Sequence, residues 1–460
     1  MDPPSSNGVG VFLKNQDEVM TSAVDLFRRP TRDPSLKEVR EYEIRPTTDN
    51  SEGPFTFMIP SQPSLYIDPS SFRLKGEICV KKVIDGKLED LVPPVKTDST
   101  RVGDWVTPCN FFPISLFKNA EVDFNGKTVT YVNSPLLHYK TMIESVMSYS
   151  SDALRTHLYN ARCLLDTTGQ YENIDSKAFV ARRKWIQGSR HMDFNIPLHL
   201  DVLSADKYYP DGIDMNIKLQ RERDSFSLIA PTDSSTEYKI IIKDLTLAFR
   251  RVALADELYR EQQKLFAGGA RACYSITRNT LRPKTIFPKE ESIRFDNLFQ
   301  GVLPDTLIMG IVNGAAYAGN IKKNPFYFQN YDLREISLTY NGMSIPGHKL
   351  ETNFDDGRYC NAYRQLFDNI GIHHGDRGNL ITARHFKDGL TFFAFDFTPD
   401  KCHAYHNHPP GKGIISVYLT VRRVEEHTEP MTVIFYASYQ DVIEIDGQRQ
   451  VYITSSTTSS

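Results

Sequence analysis

Ala120-Glu121-Val122-Asp123-Phe124-Asn125-Gly126 and Glu335-Ile336-Ser337-Leu338-Thr339-Tyr340-Asn341-Gly342 carry the same message twice. Each reads as a strand closed by Asn-Gly, a pair that readily adopts the two positive φ angles a tight hairpin turn needs. A stretch with helical periodicity follows each one, Tyr139 to Met147 in the first case and Tyr359 to Phe367 in the second. Tyr139, Ile143, Val146 and Met147 match Tyr359, Tyr363, Leu366 and Phe367, at the i, i+4, i+7, i+8 spacing of a single helix face.

The correspondence continues in chain order. Met192-Asp193-Phe194-Asn195-Ile196-Pro197 answers Phe395-Asp396-Phe397-Thr398-Pro399. The alternating Met215–Leu219 strand, with Arg221 and Arg223 behind it, answers Ile415–Leu419 with Arg422 and Arg423. Tyr238 to Phe249 answers Thr432 to Tyr439. Several matched elements in one order indicate an internal duplication. The chain therefore reads as an arm at 1–37, one unit at 38–255, a second at 256–453 and a tail at 454–460. Each unit has roughly two hundred residues, within the range of a single β domain.

Both units are expected to be all-β. Met215, Ile217 and Leu219 alternate with polar neighbours, as do Val417, Leu419 and Val421, which is the period of half-buried strands. Turn pairs punctuate the pattern at Asp85-Gly86, Asn125-Gly126, Asp211-Gly212, Asn341-Gly342, Asp388-Gly389 and Asp446-Gly447. Sandwiches with helical insertions between strands fit a jelly-roll plan, here two in tandem. In the arm, Val19, Met20, Val24, Leu26 and Phe27 suggest a short amphipathic helix with too few residues for a core of its own. Such an arm is expected to order against a larger body or a neighbouring copy.

Composition excludes several classes. With 54 basic and 57 acidic residues the net charge is −3, which argues against a protein that works through one large basic field. Apolar residues make up 40% of the chain, enough for a sizeable core. None of the 6 cysteines forms a CxxC pair, so reduced thiols are expected instead of a disulfide scaffold. The polar start, MDPPSSNG, predicts no signal peptide and a chain that is not secreted. The longest apolar runs, such as Leu307 to Val312, are too short to span a bilayer.

Chemistry-bearing motifs are few. Cys402-His403-Ala404-Tyr405-His406-Asn407-His408 holds the densest set of metal-ligating residue types, and His403, His406 and His408 are the candidates. A cupin-type centre requires a Glu four or five residues after the His-x-His pair, where this chain has Lys412 and Gly413. The expectation is a solvated loop without metal. His373-His374-Gly375-Asp376 lacks an accompanying nucleophile motif and reads as a polar loop. Neither GxGxxG nor GxxxxGK[ST] occurs, so no cofactor is expected. The basic pairs Arg182-Arg183, Arg250-Arg251 and Lys322-Lys323 read as solvated or subunit-contacting faces.

Several strings resemble one family. Val24-Asp25-Leu26-Phe27 before Pro30, Ser115-Leu116-Phe117 before Val122 to Lys127, Asp296-Asn297-Leu298-Phe299-Gln300-Gly301 with Leu303-Pro304, Lys322 to Phe328 with Tyr331-Asp332-Leu333, and Phe392 to Asp400 are similar to the double jelly-roll major capsid protein of Maverick/Polinton elements and adintoviruses. The similarity runs from about residue 14 to about 453; the loop Lys401 to Gly413 departs from the pattern. The resemblance implies a structural protein and no enzyme. Three subunits would form a pseudo-hexagonal capsomer and capsomers would tile an icosahedral virion shell. It also implies penton and minor capsid partners, and at most nonspecific contact between the basic arm and packaged DNA. Synthesis would be in the host cytoplasm or nucleus. Inter-subunit contacts are expected at Leu26, Phe27, Phe299, Pro304, Phe326 and Phe328. The alternative is a jelly-roll carbohydrate-active enzyme or lectin, which as a glycosidase would need paired carboxylates.

Overall fold

Alternation of apolar and polar residues decides the strands. In Met215–Arg221, Met215, Ile217 and Leu219 are fully buried while Lys218 and Gln220 face outward. Ile415, Val417 and Leu419 repeat this in the second half. The computed structural model describes residues 33–48, 52–96, 101–130, 136–372, 378–401, 411–422 and 427–454.

The first half contributes β1 (Leu36–Ile44), β2 (Phe55–Ile59), β3 (Leu65–Ile84), β4 (Phe117–Phe124), β5 (Lys127–Thr128), β6 (Met192–Pro197), β7 (Met215–Arg221) and β8 (Glu237–Leu254). The second contributes β9 (Ala272–Ile286), β10 (Ser292–Val302), β11 (Thr306–Asn313), β12 (Leu333–Tyr340), β13 (Met343–Glu351), β14 (Phe392–Asp396), β15 (Lys412–Val421) and β16 (Met431–Ile445), with β17 (Val451–Thr454) appended to β16.

Strand order makes the duplication plain. The first half forms sheets β1-β8-β3-β6 and β2-β7-β4-β5; the second forms β9-β16-β11-β14 and β10-β15-β12-β13. Adding eight to each label of the first pair yields the second. All pairings are antiparallel, and the first and last strands of each half lie side by side, as in a jelly roll. The fold is two tandem jelly-roll sandwiches.

The quoted hairpins fall at equivalent places. Asn125 and Gly126 join β4 to β5 with φ of 49° and 78°; Asn341 and Gly342 join β12 to β13 with 48° and 82°. Asp85-Gly86 makes the same turn, but other expected turn pairs serve elsewhere. Asp388-Gly389 follows the short helix Ala383–Lys387, and between β16 and β17 the left-handed residue is Arg449. The matched string from Phe395 overlaps only the end of β14, so Phe397-Thr398-Pro399 lies beyond the strand.

Helices fill the connections. α1 (Leu137–Ser148) and α2 (Lys177–Ile186) lie between β5 and β6, α3 (Asp256–Ala267) joins the halves, and α4 (Cys360–Asn369) lies between β13 and β14. One continuous apolar core runs through both sandwiches. The described chain begins before the expected end of the arm, since Leu36 and Lys37 already belong to β1. The arm residues Leu26 and Phe27 lie outside the described residues.

Candidate functional site

The first sandwich meets the second along a seam. Three clusters hold it. In the first, α1 presents Lys140 and Glu144 one turn apart, so both reach the same neighbours. Lys140 pairs with Asp201 of the first sandwich. Glu144 Oε1 accepts from the Tyr436 hydroxyl of β16 and from Asn279 Nδ2 of β9, each at 3.1 Å, and His199 Nδ1 faces Glu144 Oε2 at 2.9 Å. The Asn279 backbone N–H donates to Asp201 Oδ2 at 3.1 Å. Burial pushes Glu144 up, but the Lys140 ammonium and bonds from His199 and Tyr436 outweigh it and leave the carboxyl below its ordinary range. Burial wins at Asp201, which is raised despite Lys140. Beside this cluster lies a cleft of about 810 Å³ lined by Met147, Tyr436, Ser438 and Gln440 among others.

The second cluster is fully enclosed. Arg182 of α2 pairs with Asp166, and Asn324 of the second sandwich donates to Asp166 Oδ2 at 3.0 Å and to the Tyr171 carbonyl at 2.8 Å. Arg182, Asp166 and Asn324 are 0, 4 and 1% exposed. Burial pushes the Asp166 carboxyl up against the pull of Arg182 and Asn324. Tyr171 stacks on Tyr327 with centroids 4.8 Å apart, and the Tyr327 hydroxyl donates to Asp388 Oδ1 at 2.9 Å. The third cluster joins the β4–β5 turn to the start of β17. Arg449 bonds Asp211 at 2.6 Å, its carbonyl accepts from Asn125 Nδ2 at 2.8 Å, and Lys127 Nζ reaches the Val451 carbonyl at 2.7 Å.

Gly389 has a demanding place in this seam. Its φ is 124°, and a Cβ there would sit 1.8 Å from two carbons of the Tyr171 ring. Gly389→Ala is expected to separate the Tyr171–Tyr327 stack and cost about 1–3 kcal/mol, the scale of overpacking in a filled core. A fall in the denaturant midpoint checks this, and an unchanged midpoint would show that the seam yields freely.

The expected contact residues of the second sandwich require correction. Phe299, Phe326 and Phe328 are 1, 1 and 0% exposed, and Pro304 is buried as well. They have no surface to offer a second chain. Phe326 and Phe328 pack edge-on against the Tyr139 ring of α1, at 5.6 and 6.1 Å, and the Tyr139 hydroxyl donates to the Pro325 carbonyl at 3.0 Å. The aromatic segment is thus a contact surface whose partner is the chain's own first sandwich. Phe299 carries the Arg282 guanidinium on its ring at 4.6 Å.

Two of the basic pairs also differ from expectation. Arg183 lies on the Trp105 ring at 4.6 Å and donates to the Ile174 carbonyl at 2.7 Å, so Arg182 and Arg183 are interior. Arg251 is 2% exposed, whereas its neighbour Arg250 is outside and pairs with Glu41 at 3.0 Å. His403, His406 and His408 lie outside the described residues, as do His373, His374 and Asp376. Among the described residues no group of three metal-ligating side chains converges. Cys79, Cys109 and Cys163 are buried free thiols and Cys273 and Cys360 exposed ones. No helix among the described residues is long and apolar enough to cross a membrane. The seam residues Glu144, Asp166, Asn324 and Arg449 carried no sequence signal, since nothing local marks a polar side chain that pairs across hundreds of residues.

Fold and seam together define a double jelly-roll protein. No protein-family model matches the chain. It is similar to a chain in the cryo-EM structure of the Sputnik virophage, with a TM-score of 0.65 and 12% identity over 97% of this chain and 94% of that one. It is similar to the mavirus major capsid protein, with a TM-score of 0.53 and 10% identity over 96% of each chain. The Faustovirus major capsid protein gives 0.52 and 9%, over 91% of this chain and 92% of that one. By sequence it is similar to the uncharacterized protein F54H12.2 of Caenorhabditis elegans, 22% identical over 351 residues, covering 76% of this chain and 81% of that protein.

Proposed function

We propose that this chain is a major capsid protein, structural and not catalytic, of a Maverick/Polinton- or adintovirus-like element. One observation carries the reading: two sandwiches of identical strand order are joined by a seam of ion pairs and hydrogen bonds, in a fold shared along nearly the whole chain with viral capsid proteins. A rigid pair of like blocks, repeated three times about an axis, supplies six similar blocks, so a threefold trimer fills a sixfold-like lattice site. The trimers tile an icosahedral virion shell, completed by penton and minor capsid proteins. The protein is made in the host cytoplasm or nucleus. Any contact with packaged DNA is nonspecific and would come from the basic residues Arg28, Arg29 and Arg32 of the arm.

Light scattering on the purified chain is expected to give three times the chain mass, with closed particles visible by electron microscopy under assembly conditions. Monomer alone at high concentration, across salt and pH, would sink the reading.

A further inference from the structure

Equivalent surfaces of the two sandwiches have different surroundings. Part of the outer face of β9-β16-β11-β14 is covered by the first sandwich: Asn279 and Tyr436 are 8 and 6% exposed where they meet Glu144 of α1. The outer face of the equivalent sheet, β1-β8-β3-β6, is open. Glu41 and Arg250 pair there with 74 and 53% of their side chains exposed, and Glu43 and Lys75 pair with 57 and 37% exposed. The matched helices differ in the same sense. α1 is buried on nearly every side, whereas α4 buries only Ala362 and Leu366 and holds Arg364 65% exposed.

We propose that α4 of one chain docks on the outer face of β1-β8-β3-β6 of a second copy. The contact repeats between chains the seam that α1 makes within one, and it rests on the trimer reading above. In a closed ring of alternating sandwiches every block presents one face forward and one backward. The seam inside the chain displays both faces in contact. The copies of those faces, α4 and the open sheet, are the ones left for a neighbour.

Charge supports the match. Counted from Tyr139 and Tyr359, Arg364 takes the place of Glu144. Glu144 meets β9, the first strand of its sheet; Arg364 then meets β1, the first strand of the equivalent sheet, which turns Glu41 and Glu43 outward. Arg364, paired on its own helix with Asp368 at 2.8 Å, then faces the Glu41–Arg250 and Glu43–Lys75 pairs, and an exchange of partners across the contact selects the neighbour and its register.

Sedimentation velocity over a concentration series tests this with the full chain, Arg364→Glu, the double variant Glu41→Arg/Glu43→Arg, and all three changes combined. Each change breaks an intrachain pair, with Asp368, Arg250 or Lys75, but these pairs are exposed and contribute little, so melting curves are expected to stay close to the parent's. Each reversal should weaken the trimer at least about ten-fold by placing like charges together, and the combination should recover most of the loss. If the parent is a trimer but the reversals change nothing, or the combination recovers nothing, this docking is overturned and the trimer reading stands. If the parent stays monomeric throughout, the trimer reading falls and the docking with it.

Discussion

Arg182→Met is expected to cost about 3–5 kcal/mol, the scale for removing one partner of a buried ion pair. Asp166 would keep its place in the interior with only the Asn324 amide for company. Its carboxyl, already pushed up by burial, would rise further and take a proton more readily. The deficit should therefore be larger at neutral pH than near pH 5. Asp166→Asn in the same chain removes the stranded charge and leaves an oxygen for Asn324, so the double variant should be more stable than Arg182→Met alone. Denaturant unfolding of the single and double variants measures the coupling. Equal stability of all three would show that the pair does not hold the seam.

Acid should loosen the first sandwich through His138. The ring is 1% exposed in α1, between Tyr139 and Phe226, with centroids 4.8 and 4.3 Å away. Burial, with a smaller push from the Lys118 charge, lowers its pKa from 6.5 to about 3. Between those values the unfolded chain holds a proton that the folded chain refuses. Stability contributed by the neutral ring is complete above pH 6.5 and is lost as pH falls. The slope approaches about 1.4 kcal/mol per pH unit and totals on the order of 4–5 kcal/mol near pH 3. His138→Phe keeps an aromatic ring against Phe226 and removes the titration. Its unfolding free energy should fall more gently between pH 6.5 and 4 than the parent's. Parallel pH profiles would show that His138 does not govern the acid limb.

Much of the fold was legible because it depends on short-range patterns. Met215, Ile217 and Leu219 had to share a face, and Asn125-Gly126 and Asn341-Gly342 had to turn. Their repetition in the same order marks the duplication. Phe326 and Phe328 are expected from the sequence at a contact between subunits, yet they turn inward, toward Tyr139. Residue type records that a side chain needs a partner and says nothing of which surface provides it. Arg182-Arg183 misled for the same reason. A basic pair reads as solvated unless Asp166 and Trp105, far away in the chain, are known to be waiting.

By itself, then, the sequence determined two copies of one sandwich, their hairpins and their helical insertions, because periodicity and turn chemistry act over a few residues. Tertiary structure alone decided which polar groups are interior, how Glu144, Asn279 and Tyr436 join the halves, and which of two equivalent sheet faces stays open. Those outcomes depend on distances between residues far apart in the chain, and burial sets their energies. Neither quantity exists until the chain has folded.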